Sequence, residues 1–175
     1  MNIFQALQND HETVKDLLEQ LVSVSENDES TKVILDEIKD ELIPHARAEE
    51  VVFYNSLREL DSAKDTISHA YREHMRVETL LHTLRGMEVV GIEWTVLAKK
   101  LRDEVHHHIT EEEGVIFNMA RPLLTPKESE ELGNAFLAMK EEAGYESDFS
   151  NTVDLVANMM PKRFAESVRN WNHPG

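Results

Sequence analysis

Cysteine is absent from the chain. That excludes disulfides, iron–sulfur clusters and thiolate-bound metals. Proline and glycine are scarce, five and six among 175 residues, a composition nearer a helical protein than a sandwich of short strands. No run reaches the roughly 18 apolar residues that a bilayer-spanning helix needs. The opening MNIFQALQNDHETV has neither a basic n-region nor a long apolar h-region. No secretory signal is read there, and a soluble cytoplasmic protein is the expectation. Positive charge is also short: 18 Lys and Arg stand against 34 Asp and Glu, a net −16. Such a surface disfavours nucleic-acid phosphates and anionic membranes and keeps a protein in solution.

Hydrophobic residues make up 41% of the chain, enough for one core in one domain. Four stretches repeat apolar positions at steps of three and four, the period of a helix. They run through Phe4, Leu7, His11, Val14, Leu18 and Leu21; then Ile34, Ile38, Leu42, His45, Glu49 and Val52. The third uses Ile67, Ala70, His74, Val77, Leu81 and Leu84, and the fourth Leu97, Leu101, Val105, His108, Glu112, Val115 and Met119. Breaks separate them: SENDES (25–30), LDSAKD (60–65) with Asp61 and Ser62 as N-caps, and VVGIE (89–93), where Gly91 is placed to end a helix. Thr125, Pro126 and Glu128 form a capping-box start for a fifth helix, which runs to about Ala143 and ends at Gly144. The expected fold is all-α: an up-down-up-down four-helix bundle over 1–124 and a C-terminal helical extension and tail over 125–175.

The chain repeats itself. DHETVKDLLEQL (10–21) aligns with EHMRVETLLHTL (73–84), and His11 falls on His74 at an offset of 63 residues. The same offset carries His45 to His108, Glu49 to Glu112, Glu50 to Glu113 and Val52 to Val115. Any two amphipathic helices share apolar matches, but here polar residues at core-facing steps match too. The chain reads as two helical hairpins of one design.

In an antiparallel pair, residues equally far from the turn lie at one height. His11 and His45 centre on residue 28, His74 and His108 on Gly91, and His45 and His74 beside the Leu60–Asp61 break. Three midpoints on three turns put all four histidines in one layer. A buried imidazole or carboxylate with no partner costs on the order of 1–3 kcal/mol, so four His and two Glu in an apolar core call for a metal. His45/Glu49 and His108/Glu112 are i,i+4 pairs, each offering an imidazole and a carboxylate from one helix face. Structural zinc takes four ligands, usually with sulfur. Six nitrogen and oxygen donors suit two first-row metals bridged by the carboxylates, with iron the natural choice in a helix bundle.

Other residues are placed by the same wheel. Glu78, four after His74, faces the layer as a further ligand or as an acceptor behind one. Tyr54 is about 180° round from His45 on an ideal helix, and only a bent helix brings its phenol in. Glu12, Glu50 and Glu113 read as solvated charges, the last two with the option of backing a histidine. His69, His82 and His173 read as surface residues, and Phe53 and Ile116 as a dry wall. In HHHITEEE (106–113), the offset selects His108 and Glu112. It sends His106 and His107 to Ile43 and Pro44, which cannot be ligands.

His11, HARAE (45–49), His74 and HITEE (108–112), with DHETV, HARAEEVVFY and EHMRVE around them, resemble the hemerythrin-like HHE cation-binding family over roughly residues 3–120. The resemblance implies a left-twisted four-helix bundle with a non-haem di-iron centre, two iron ions that are oxo- or hydroxo-bridged. It implies His11, His45, Glu49, His74, His108 and Glu112 as ligands, with Glu49 and Glu112 as bridges. Oxygen-carrying members have a histidine where this chain has Glu78, and their longer final spacing points to Glu113, whereas the repeat favours Glu112. The function implied is binding of, or reaction with, a small oxidant (O2, NO or hydrogen peroxide), including catalase-like peroxide removal. The alternatives are a non-catalytic oxygen, NO or iron sensor or iron store, and a structural-metal bundle.

Overall fold

The computed structural model describes residues 1–24, 30–58, 63–88, 90–143 and 149–170. Among these every regular element is helical. Helix α1 (Ile3–Ser23) opens on a capping box in which Asn2 accepts from the Gln5 backbone and Gln5 reaches back to Asn2. Helix α2 (Ser30–Ala48) continues through a π turn (Glu49–Tyr54) into a short α turn (Asn55–Leu57). Helix α3 spans Lys64–Gly86. Helix α4 (Ile92–Glu111) likewise runs into a π turn (Glu112–Ile116) and then Phe117–Ala120. Three more helices follow: α5 (Pro126–Ala143), α6 (Phe149–Met159) and α7 (Lys162–Arg169).

The first four helices close a ring, α1 on α2, α2 on α3, α3 on α4 and α4 on α1. Ion pairs join the start of one helix to the end of a neighbour, as Asp36 with Arg85. The apolar stripes meet inside in two clusters. One holds Leu18, Leu21, Ile38, Leu81, Leu84 and Leu101. The other holds Ile3, Leu7, Val52, Phe53, Phe117 and Phe136. The histidines and glutamates of the stripes lie between them.

Two local expectations change. Gly91 does not end a helix: α3 already closes at Gly86, and Gly91 is the N-cap of α4, its carbonyl accepting from the Thr95 backbone and hydroxyl. The repeat positions Val52 and Val115 also part company, Val52 being fully buried and Val115 49% exposed. Helix α5 packs on α1, α2 and the π turn after α2, so it covers only one half of the repeat. The Thr125–Glu128 capping box forms as read. Asp61, Ser62, Gly144, His173 and most of SENDES lie outside the described residues.

Helix α5 joins the core rather than lying on it. Leu132, Ala135, Phe136 and Met139 are fully buried in the same cluster as Ile3 and Phe53. Gly133 sets the approach: a Cβ there would collide with the Met1 carbonyl oxygen and meet the Asn2 carbonyl carbon at 2.8 Å. Gly133→Ala should therefore lower stability by on the order of 1–3 kcal/mol. Gly86→Ala, with nothing within 4 Å of its Cβ, should stay within about 0.5 kcal/mol of the parent. Equal thermal midpoints for the two variants would remove this contact from the account.

Candidate metal centre

Each helix of the ring supplies one buried imidazole: His11 from α1, His45 from α2, His74 from α3 and His108 from α4. Glu49 and Glu112 follow one turn after His45 and His108 and have no exposed surface. Glu49 Oε2 lies 3.7 Å from His45 Nε2 and 3.3 Å from His74 Nε2. Glu112 Oε2 lies 3.1 Å from His11 Nε2, and His74 Nε2 lies 3.1 Å from His108 Nε2. Donor atoms of His11, His45 and Glu49 fall within 4.8 Å of one another, and so do those of Glu49, His74 and His108. Glu49 therefore stands in both groups.

Both carboxylates open a π turn. There the backbone hydrogen bonds reach one residue further, from Asn55 N–H to the Glu50 carbonyl and from Phe117 N–H to the Glu112 carbonyl. The extra residue per turn changes which side chains face inward. Tyr54, outward on an ideal helix, is fully buried, its ring stacked on His74 at 5.5 Å between centroids and 23° between planes. Its repeat counterpart Phe117 stacks on His11 at 6.5 Å and 19°. Each half of the chain thus lays an aromatic ring on a histidine of the other half.

A carboxylate stands behind every histidine. Nδ1–H of His11 donates to Glu113 Oε1 at 2.8 Å, and that of His74 to Glu50 Oε1 at 2.9 Å. Nδ1–H of His45 donates to Asp10 Oδ2 at 3.0 Å, and that of His108 to Glu73 Oε2 at 3.0 Å. These bonds fix the tautomer and turn each Nε2 lone pair inward, as metal-bound histidines require. Glu50 is thus no solvated charge: it is buried, and Arg47 Nη1 sits 3.4 Å from it. Asp10 and Glu73 are functional positions that the wheel passes over. Their signal was in the repeat, since an acid precedes both His11 and His74 at the same offset.

Several of these donors have no partner among the described residues. His11 Nε2, both oxygens of Glu49 and of Glu112, and the Tyr54 hydroxyl are buried with no hydrogen-bond partner among the described residues. Burial raises the Glu49 carboxyl, with the charge of Glu112 adding to it. Burial also pushes Glu112 up to about 7, against the pull of the neighbouring Glu49 carboxyl and of the His74 charge. Burial alone would lower His74, but the Glu49 carboxylate 3.3 Å from its Nε2 and its hydrogen bond to Glu50 outweigh that and hold it at about 10. Four nitrogens and two hard carboxylates, mutually close and with the carboxylates and His11 Nε2 unsatisfied among the described residues, fit first-row metal cations.

Glu78 borders the same cavity as the four histidines and takes Arg47, Nη2 to Oε2 2.9 Å. The remaining sequence candidates lie outside this layer. Glu12 is exposed and pairs with Lys15. His106 Nε2 is 3.9 Å from Glu19, and His107 is exposed beside Glu111. Phe53 and Ile116 are buried in the apolar cluster next to the layer.

Residues 2–120 match the profile of Hemerythrin, the hemerythrin HHE cation binding domain. The chain is similar to a DNA nickase of Nostoc sp., 28% identical over 142 residues, which span 81% of this chain and 40% of that protein. It is also similar to uncharacterized proteins of Mycobacterium tuberculosis and Mycobacterium bovis, 29% identical over 147 residues covering 81% of this chain and 87% of each relative. No solved structure matches it.

Two outcomes follow from this geometry. Glu50→Ala frees the His74 Nδ1–H and should cost about 10–100-fold in metal affinity, read by competition with a chelator; Glu12→Ala should cost nothing. Equal retention by both would unseat the carboxylate backing. The second concerns pH. His74 is raised from 6.5 to about 10, so its stabilisation of the metal-free fold is complete below 6.5 and lost as pH rises towards 10. Glu112, raised from 4.5 to about 7, loses its contribution over that lower window in the same direction. A bound cation replaces these protons. The thermal midpoint of loaded protein minus that of metal-free protein should therefore widen with rising pH. A gap that stays constant would contradict the assignment.

Proposed function

The chain belongs to the hemerythrin HHE cation-binding domain family, and from that membership we propose that it is a non-haem di-iron protein acting on a small oxidant, with catalase-like removal of hydrogen peroxide as the leading activity. His11, His45, Glu49, His74, His108 and Glu112 would hold the two irons. Glu49 and Glu112 are the bridging carboxylates on this reading. Tyr54 is a further ligand or a hydrogen-bond donor at the centre, whereas Glu78, engaged by Arg47, is an outlying acceptor. Residues 1–124 form the bundle, and the extension from 125 caps it.

The observation that carries the choice of substrate is the size and lining of the space beside the histidines. A cavity of about 30 Å³ touches His11, His45, His74 and His108; apolar side chains such as Val14, Leu42, Val77, Val105 and Ile109 wall most of the rest, with Arg47 and Glu78 also in the lining. That volume admits one or two water-sized molecules. It suits O2, NO or H2O2 and leaves no room for an organic substrate. When bound, two irons would supply a two-electron redox couple: two electrons and two protons reduce one H2O2 to two waters, and a second H2O2, oxidised to O2, returns both. The protein's part is to hold four imidazoles in one tautomer, keep two carboxylates between them and exclude bulk water. The Tyr54 hydroxyl, raised well above 10 by burial and by the Glu112 and Glu49 charges, is kept protonated as a donor beside the centre.

The alternative is a non-catalytic oxygen, NO or iron sensor or store. It draws on one contact: Lys140 Nζ of α5 lies 2.8 Å from Asp10 Oδ2, and Asp10 in turn accepts from His45. That chain of bonds links the C-terminal helices to the centre. The nickase activity of the Nostoc relative is not carried over, because the match spans 40% of that protein and this chain is strongly acidic.

Peroxide added to iron-loaded protein should release O2 over many turnovers at an oxygen electrode. Release of less than one equivalent would remove the peroxide reading and leave sensing or storage. His108→Ala should lose iron, whereas His106→Ala should keep it; equal loss from both would sink the ligand assignment.

A further inference from the structure

Outside the central layer, α3 and α4 bring together a second set of metal-binding side chains. His69 and Glu73 are one turn apart on α3, and His107 and Glu111 are one turn apart on α4. Their donor atoms all lie within 4.8 Å of one another. His69 Nε2 is 3.3 Å from Glu73 Oε1 and 3.4 Å from Glu111 Oε2. His107 Nε2 is 3.6 Å from Glu73 Oε1 and 3.4 Å from Glu111 Oε1. Three of the four side chains are reachable from solvent, and Glu73 is the exception at 3% exposed.

Glu73 is what distinguishes this group from an exposed cluster of ion pairs. Its Oε2 accepts from His108 Nδ1, while its buried Oε1 makes no hydrogen bond among the described residues and points at the two outer imidazoles. An acceptor in that position is costly unless a cation or donor meets it.

The repeat supplies an independent argument. At the 63-residue offset, His69, Glu73, His107 and Glu111 fall on Ala6, Asp10, Pro44 and Ala48. The first half thus keeps the buried carboxylate behind its histidine and lacks the three outer donors. What meets Asp10 instead is the ammonium of Lys140, 2.8 Å from Asp10 Oδ2 and 2.8 Å from Glu41 Oε2. One half therefore places a tethered cation behind its histidine–carboxylate pair. The other half builds donors for a free one.

We propose that His69, Glu73, His107 and Glu111 form a second metal site, distinct from the central one, for a single divalent first-row cation of the zinc type. Two imidazoles and two carboxylates make a four-donor nitrogen–oxygen set. Each helix supplies an i,i+4 pair, so both pairs are fixed by helix geometry. A groove of about 420 Å³ runs from His69, Glu73 and Glu111 to His108 and Glu112. The outer set is thus the first that a cation meets when it approaches the centre from that side.

The test is a zinc titration of the full chain after iron has been added to saturation, with iron and zinc measured in the same samples. The parent should bind one more Zn²⁺ than the exposed-site variant His69→Gln/His107→Gln, with iron content equal in both. Glu111→Gln alone should weaken that Zn²⁺ at least tenfold and guards against misfolding of the double variant. Equal zinc in parent and variants, or none beyond the central metal, overturns the proposal. Failure to load iron would count against the di-iron reading, while the parent-minus-variant zinc difference would still decide the outer site.

Discussion

Everything in this molecule is arranged around a layer of charge-bearing groups buried where water cannot reach them. Four imidazoles and two carboxylates interrupt an otherwise apolar core, and five of their donor atoms have no hydrogen-bond partner among the described residues. In a protein interior of low dielectric, such a layer either collapses onto protons or recruits cations. The chain does not soften the cost by moving the groups outward. It increases the commitment with four more carboxylates behind the histidines, which hold each ring with its free nitrogen facing the centre. The apolar clusters on either side then act as walls that keep the layer dry.

The two halves solve the same problem with the same parts and then diverge. Tyr54 and Phe117 occupy equivalent places and stack on each other's histidines, but only one of them brings a hydroxyl. Asp10 and Glu73 are equivalent too, yet one is met by a lysine from α5 and the other faces an outer pair of histidines. The approximate two-fold of the ligands therefore does not extend to their surroundings. Two metals in such a centre would sit in similar donor sets under different electrostatic fields.

Much of this was legible in the sequence because the signals were periodic. Heptad-like stripes gave the four helices, and one offset separated His108 and Glu112 from their neighbours in HHHITEEE. The family profile covers the same stretch. What escaped has physical reasons. A π turn leaves no mark in composition, so the wheel that places Tyr54 outside carries on with the wrong phase after Glu49. Glu50 reads as solvated on its own helix because the histidine it backs, His74, lies on α3. Asp10 and Glu73 serve histidines on neighbouring helices, and a one-helix projection cannot see across that gap. His69 and His107 are surface residues when each is read alone; only the packing of α3 on α4 makes them a pair. The Lys140 contact depends on how α5 docks, which no stripe specifies.

The widened turns have one more consequence. A π turn is, in effect, a helix carrying a single inserted residue. Both insertions begin at a buried carboxylate of the central layer, and the two carboxylates are one repeat apart. The surplus residue thus recurs in both hairpins at the same place in the repeat. It also makes the bundle intolerant of a particular kind of sequence change. A one-residue deletion just after either glutamate would restore an ordinary helix and leave the ligands themselves untouched. It would nonetheless swing the following aromatic ring away from its histidine. In this fold the reading frame of the helix, as much as the identity of the ligands, defines the centre.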